Sequence, residues 1–388
     1  MATTSRRSRS AATPIDSMRL RGDDQDPTAW LDHVMPWLIG AYVVVAVAAW
    51  YTRAATPHHH WTFPVFRQSY YHLIAHRNLY APDPAQGYDL FKYSPTFALL
   101  FAPIAILPAT AGLLAWDLLN ALALLGAVRW LLPRREAAIA AAVMLPEVFV
   151  AAQASQSNAL VAALIVVAFV ALERSRLTGA AIAIAVGSAI KLFPLAGLSF
   201  ALPIHARWRF AWRFTAVALA MLALPLGVIP LPLLAHQYQW WASVESVDAL
   251  ARGTSVMGLV ASVARGSWPN WPVQLAGTLV LLAPLMARRR LWTDQRFLRL
   301  YLCSVLVYVV LFNHQAERPS YVIAVAGAAI WYAVSPAAWW RTVLALSTLV
   351  GLRAAPCLAV WIAMQYDLWS YRTIEELAIS PGAAARSG

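Results

Sequence analysis

Five polar side chains, Asn313, His314, Gln315, Glu317 and Arg318, fall within six positions of "VLFNHQAERPSYVIAV" (310–325). The stretch is apolar on both sides, where polar groups are expensive to place without a use for them. A guanidinium, an imidazole and an amide beside a helix start form a good anion-binding group. Pro319 suits the first turn of the helix that follows. The pattern points to a lipid phosphate or a sugar more than to a structural turn. Glu317 and Arg318 would stand at that helix's outward N-terminus.

A second clue is which cation is used. Of thirty Lys and Arg residues only Lys92 and Lys191 are lysines. They occupy matching settings, "FKYSP" and "IKLFP", with Tyr93 beside the first. Contact with a phosphate would use a compact, flexible ammonium; snorkelling to the membrane interface would also suit a lysine. "QASQSN" (153–158) sets Gln153, Gln156 and Asn158 at a membrane edge, where they either meet a polar head group or cap a helix. In the loop 52–93, Tyr70, Leu73 and Ile74 recur at helical spacing with Arg67, Gln68, His72 and His76 between them, as in a helix lying in the interface. Asp83 and Asp89 follow in the same loop, close enough to the next apolar run to hang over its mouth.

Other polar groups read as structural. Asp117 and Glu147 lie inside apolar runs and must face the bundle interior. A hydrogen bond to a neighbour such as Asn120 is the favoured reading for them. Glu245, Asp248 and Arg252 share one helical face and read as a surface ion-pair network. His58, His59 and His60 are adjacent and cannot all face one ion from regular structure, so they read as a solvated linker. Cys303 and Cys357 read as small core residues. The carboxylates are too scattered to predict a metal, and no cofactor is called for.

These groups must be carried by helices. The 388 residues are 60% hydrophobic and 12% charged, and apolar runs of spanning length recur from about residue 35 to 366. The runs are continuous rather than alternating, which excludes a membrane barrel. The expected fold is all-α, a polytopic membrane protein with ten to thirteen spans. The sequence divides into a basic, disordered cytoplasmic tail (1–29), a membrane domain (30–366) with its loop 52–93, and a C-terminal tail (367–388). The first apolar run reads as a retained anchor. The net charge of +12 comes from arginine clusters between spans ("PRRE", "ERSR", "RWRFAWR", "RRR"). It therefore speaks of membrane topology and not of nucleic acid. The positive-inside rule makes those loops cytoplasmic and turns 153–157, 191, 235–270 and 313–318 outward. One conflict follows: spans at 35–51, 94–109 and 111–132 would put "PRRE" outside, so an early segment must be re-entrant or miscounted.

Five motifs in order, "FRQSYYHLIAHRNLYAPDPAQGYDLFKYSPTFALLFAPIAILP" (66–108), "QSNALVAALIVVAF" (156–169), "AIKLFPLAG" (189–197), "SVMG" (255–258) and "FNHQAERPSYVIAVAGAAIWY" (312–332), together resemble glycosyltransferase family 87, of the GT-C fold class. The resemblance implies an enzyme at the outer face of the plasma membrane. It would take a hexose or pentose, mannose above all, from a polyprenyl-phosphate donor and pass it to a lipid-linked or glycan acceptor. It also implies a catalytic carboxylate in the first outer loop. Related members carry an Asp-Phe pair ahead of the "LY" tyrosine, whereas here the place before Tyr80 reads Thr62-Phe63. The expected base is then Asp89, with Glu317 as the further candidate. Lys92, Arg318 and His314 would stabilise the departing phosphate, and Arg67, Gln68 and Asn158 would orient donor or acceptor. Tyr93, Lys191 and Asn313 complete the expected binding set. The competing expectations are a transporter or flippase for lipid-linked sugars, which should show duplicated halves, and an inactive partner that binds polyprenyl phosphate.

Overall fold

The computed structural model describes residues 33–54, 62–82, 90–264, 268–350 and 354–373. The N-terminal tail, His58 to His60, Asp83, Asp89 and the stretch from 374 onward lie outside them. Every regular element among the described residues is helical: α1 (Met35–Ala54), α2 (Thr62–Ile74), α3 (Pro95–Leu100), α4 (Ala102–Ala105), α5 (Ala109–Leu131), α6 (Arg134–Gln153), α7 (Asn158–Glu173), α8 (Leu177–Ile190), α9 (Arg207–Ala223), α10 (Leu231–Asp248), α11 (Val256–Val263), α12 (Trp271–Ala287), α13 (Gln295–Leu311), α14 (Tyr321–Val334), α15 (Trp339–Ser347) and α16 (Ala354–Ser370). Short 3-10 helices join some of them, the longest being Phe193–Ala201 between α8 and α9.

Among the described residues four segments are long and apolar enough to cross a membrane, Met35–Arg53, Ala109–Leu131, Arg134–Gln153 and Arg207–Gly227. Others are cut shorter by their own sequence. Pro194, in the first turn of the 3-10 helix Phe193–Ala201, ends the regular helix soon after α8. The run 94–109 is broken into α3 and α4, of 6 and 4 residues, which is too short to span. This resolves the early conflict: α1 leads one way, α5 returns, and "PRRE" joins the other arginine loops. At that end Arg174 donates to the Trp130 carbonyl (3.2 Å), Arg299 pairs with Glu173 (3.4 Å) and Arg213 reaches Thr178 (3.3 Å).

The centre of the bundle is built from α1, α5, α6, α7, α13 and α14, which pack on one another. Small side chains do most of this: Ala137, Ala138, Ala140 and Ala141 of α6 are all buried. In lipid, apolar burial does not drive helices together, so close backbone approach and polar bonds must. A Cβ on Gly327 would lie 2.7 Å from the Cys303 carbonyl oxygen, so α14 meets α13 at a separation that glycine permits. Tyr42 donates to the Ala141 carbonyl (3.0 Å) and Trp116 to that of Ser155 (2.9 Å). Asn120 donates to the Trp116 carbonyl (3.0 Å) and accepts from the Leu160 amide (3.1 Å), tying α5 to the start of α7. Such bonds contribute about 1 kcal/mol each in lipid. Asn120 is thus committed elsewhere than to Asp117, whose Oδ2 is buried without a hydrogen-bond partner among the described residues. Glu147 is buried as expected.

The loop helix α2 buries a face different from the one its spacing suggested. Phe63, Val65, Phe66, Ser69, His72 and Leu73 are covered, and Phe66 meets Phe97, Phe101 and Trp116 edge-on at 5.0 to 5.8 Å. Ile74 remains exposed. Phe97 of α3, Phe101 just after it and Trp116 of α5 supply the aromatic partners, a contact no helical wheel of α2 contains.

Candidate functional site

At the end of the bundle away from the arginine loops lies a cavity of about 620 Å³. Its wall includes Thr62, Lys92, Tyr93, Gln156, Lys191, Trp241, Glu245, Gln274, Asn313, His314, Gln315 and Glu317. Four separate turns bring these residues together, each held by local chemistry. Ser94 caps α3 by accepting from the Phe97 amide (3.1 Å) and donates to the Ala189 carbonyl (2.6 Å). That bond lays "FKYSP" against "IKLFP", so the two lysines of the chain face one space. Lys191 follows the last turn of α8 in extended backbone, its amide donating to the Gly187 carbonyl (2.9 Å).

The loop 313–318 is clamped from below by the segment leading into α11. The Thr254 amide donates to the Ala316 carbonyl (2.8 Å), and the Tyr321 hydroxyl donates to the Thr254 carbonyl. Gly253 makes the approach possible: its φ is +42°, and a Cβ would lie 2.4 Å from the Ala316 oxygen. Pro319 stands in the first turn of the 3-10 helix Arg318–Ser320 that enters α14, as expected.

Hydrogen bonds link many of the polar groups of the cavity. Lys191 Nζ donates to Asn158 Oδ1 (2.8 Å) and to Gln156 Oε1 (3.3 Å). Asn158 Nδ2 donates to the same Gln156 oxygen (2.7 Å), and Gln156 Nε2 donates to Glu317 Oε2 (3.0 Å). Gln315 Nε2 donates to Glu245 Oε2 (3.2 Å). Gln274 bridges His314 Nδ1 (3.3 Å) and the Phe312 carbonyl (3.1 Å). Burial pulls the Lys191 ammonium below the usual lysine range, and the nearby carboxylates of Glu317 and Glu245 draw it partly back. Its ammonium also lies 5.8 Å from the Tyr93 ring centre and 5.7 Å from that of Phe193. Asn313 Nδ2 is buried without a hydrogen-bond partner among the described residues, a donor at the cavity wall.

Below this polar layer the wall turns apolar. Leu195, Ala196 and Ser199 of the 3-10 helix, Thr278, Leu281 and Leu282 of α12, and Tyr308, Val309 and Phe312 of α13 continue it. From Gln274 to Leu281 the helical rise carries the lining roughly 10 Å toward the middle of the bundle. One cavity therefore has a charged mouth and a greasy interior.

Of the residues expected from sequence, Glu317, Lys92, Tyr93, Lys191, Asn313 and His314 meet at this wall, and Asn158 stands behind Lys191. Arg67 and Gln68 do not line it: Arg67 donates to the Ala105 carbonyl (3.1 Å) and Gln68 bonds His72 (3.1 Å). Arg318 is exposed and also absent from the wall. Asp89 lies outside the described residues. Glu245 also lines the cavity, and Arg252 donates to the Trp268 carbonyl and lies over its ring. The Glu245 spacing on α10 carried no sign of this, because only the fold sets that helix over "FKYSP", where Trp241 donates to the Lys92 carbonyl (3.3 Å). Thr62 lines the cavity with its hydroxyl on the Ala154 carbonyl (3.1 Å).

No curated protein matches the chain. Residues 91–313, more than half of it, match the family model described as glycosyltransferase family 87.

Proposed function

The chain belongs to glycosyltransferase family 87, and from that premise we propose that it transfers a hexose or pentose, mannose-like, from a polyprenyl-phosphate donor to a lipid-linked or glycan acceptor. The observation that carries this reading is the single cavity with a charged mouth and an apolar interior. An isoprenoid phosphate sugar has the same division: an apolar chain, one anionic phosphate and a polar ring. Lys191 and Lys92 supply cations for the phosphate, whose charge grows as the sugar departs. His314 and Asn313 offer further polar contact to phosphate or sugar.

In the transfer step an acceptor oxygen attacks the sugar's anomeric carbon as the bond from that carbon to the phosphate oxygen breaks. The polyprenyl phosphate leaves with the electron pair, and the acceptor's proton passes to a carboxylate. We assign that role to Glu317, with Glu245, a second carboxylate on the cavity wall, set to hold sugar hydroxyls. Asp89, in the same loop as Lys92, is the competing base. The cavity end faces outward across the plasma membrane by the charge of the opposite loops.

Radiolabelled transfer from polyprenyl-phosphate mannose, glucose or arabinose to membrane lipids tests the scheme with wild type, Glu317→Gln, Glu245→Gln and Asp89→Asn. Glu317→Gln should lower kcat by roughly 10²- to 10⁴-fold, the usual worth of a general base, with polyprenyl phosphate still bound. Full transfer by Glu317→Gln together with loss in Asp89→Asn would move the base to the first loop. A second reading, an inactive partner that only binds polyprenyl phosphate, is favoured by Thr62, a hydroxyl where related members carry a carboxylate. Binding without consumption of any donor would select it.

A further inference from the structure

Lys191 and Glu317 share one cavity and feel each other's charge, yet no ion pair joins them; the side chain between them is Gln156. We propose that Gln156 is a positioning residue that holds the phosphate-binding cation and the proton-accepting carboxylate apart, so that each stays available to substrate. The inference rests on the roles given to Lys191 and Glu317 in the proposed transfer.

The orientation of the Gln156 amide is chemically unique. An ammonium can only donate and a carboxylate can only accept, so the oxygen must face Lys191 and the nitrogen must face Glu317. Asn158 locks this choice by giving its own Nδ2 to the Gln156 oxygen at 2.7 Å while its Oδ1 takes the second Lys191 bond at 2.8 Å. Lys191 thus spends two of its three protons on neutral amide oxygens and keeps the third for an incoming anion. A direct Lys191–Glu317 pair would be short and charge-assisted. Such a pair would shield the cation from phosphate and hold the carboxylate in its ionised, weakly basic form. The amide prevents that collapse while adding no charge.

The other charged or titratable groups at the cavity wall are Lys92 and Tyr93 from the segment before α3, Glu245 from α10, Tyr308 from α13 and His314 from the 313–318 loop. None of them changes in the variants below, so a shift of the pH profile belongs to the altered link.

Two substitutions of nearly equal length act in opposite directions. Gln156→Met removes its hydrogen bonds with Lys191, Asn158 and Glu317 and lets the ammonium and carboxylate close on each other. With polyprenyl-phosphate mannose as donor, KM should rise roughly tenfold or more, the effect of one charge-assisted hydrogen bond lost to the phosphate. The acid limb of the kcat/KM profile should move to lower pH. Gln156→Glu places a second carboxylate against Glu317, and the acid limb should move to higher pH. A side chain that merely fills space would lower the yield of folded enzyme or kcat, with donor KM and both limbs in place; that result overturns the inference. If Gln156→Met does not fold, an acid limb in Gln156→Glu that stays put or moves to lower pH overturns it as well. Full activity of Glu317→Gln would instead remove the base assignment on which the inference stands, so the two failures are told apart by a different variant.

Discussion

At the residue scale the central feature is one of the two lysines in a chain that otherwise uses arginine. Lys191 is surrounded by Asn158, Gln156, Tyr93 and Phe193, and its position beneath the mouth fits a phosphate better than the planar fork of a guanidinium would. Lys191→Met should raise donor KM by roughly 10- to 100-fold, the range for a lost charge-assisted bond, with a smaller effect on kcat; steady-state kinetics with varied donor reads this. The pH dependence has a definite sign. Donor phosphate needs the ammonium, which is present below the lysine's pKa and lost above it. Burial has lowered that pKa, so donor KM should climb on the alkaline side at a lower pH than an ordinary lysine would give. A flat donor KM across that range would remove Lys191 from the phosphate site.

At the scale of elements, the cavity depends on turns more than on helices. The 313–318 loop takes its shape from Gly253 and Thr254, which lie far from it in sequence and press against the Ala316 carbonyl. Gly253→Ala would put a methyl group into that oxygen and force a left-handed backbone on alanine, costing about 1–3 kcal/mol for the backbone alone. The expected result is a folded protein in detergent with a slightly lower Tm and transfer reduced roughly hundredfold, as for catalytic groups displaced by about an ångström. Unchanged transfer would mean that the loop does not hold reacting groups. The motif "SVMG" has its explanation here: Ser255 caps α11 by accepting from the Gly258 amide, and this fixes the clamp beneath the loop.

Across the whole molecule, polarity is sorted by end. Arginine loops gather at one end, and the lysines, acids and amides of the cavity at the other. Cys303 and Cys357 are both buried, so new cysteines can be read against a quiet background. Ser243→Cys on exposed α10 should react with a membrane-impermeant maleimide in intact cells, and Arg135→Cys only after permeabilisation. The reverse pattern would place the cavity at the cytoplasmic face and exclude the outward-facing scheme.

Much of this was open to inspection in the chain itself. Continuous apolar runs determine helices because no other structure satisfies the backbone in lipid. The arginine clusters determine which loops share a side, and the rarity of lysine marked both cavity lysines. Polar density alone singled out 313–317. Tertiary structure decided the rest. The run 94–109 is broken at Phe101, before Pro103 in the first turn of α4, into two short helices, which a hydropathy reading cannot see. Arg67 and Gln68 have side chains suited to a ligand, yet they serve the backbone of α4 and a neighbouring histidine. Glu245 has the spacing of a surface residue and stands in the cavity, because only packing decides which face of α10 covers the mouth. Sequence determines which groups are expensive to bury in a membrane; where they meet depends on contacts between turns distant along the chain, and no local pattern encodes those.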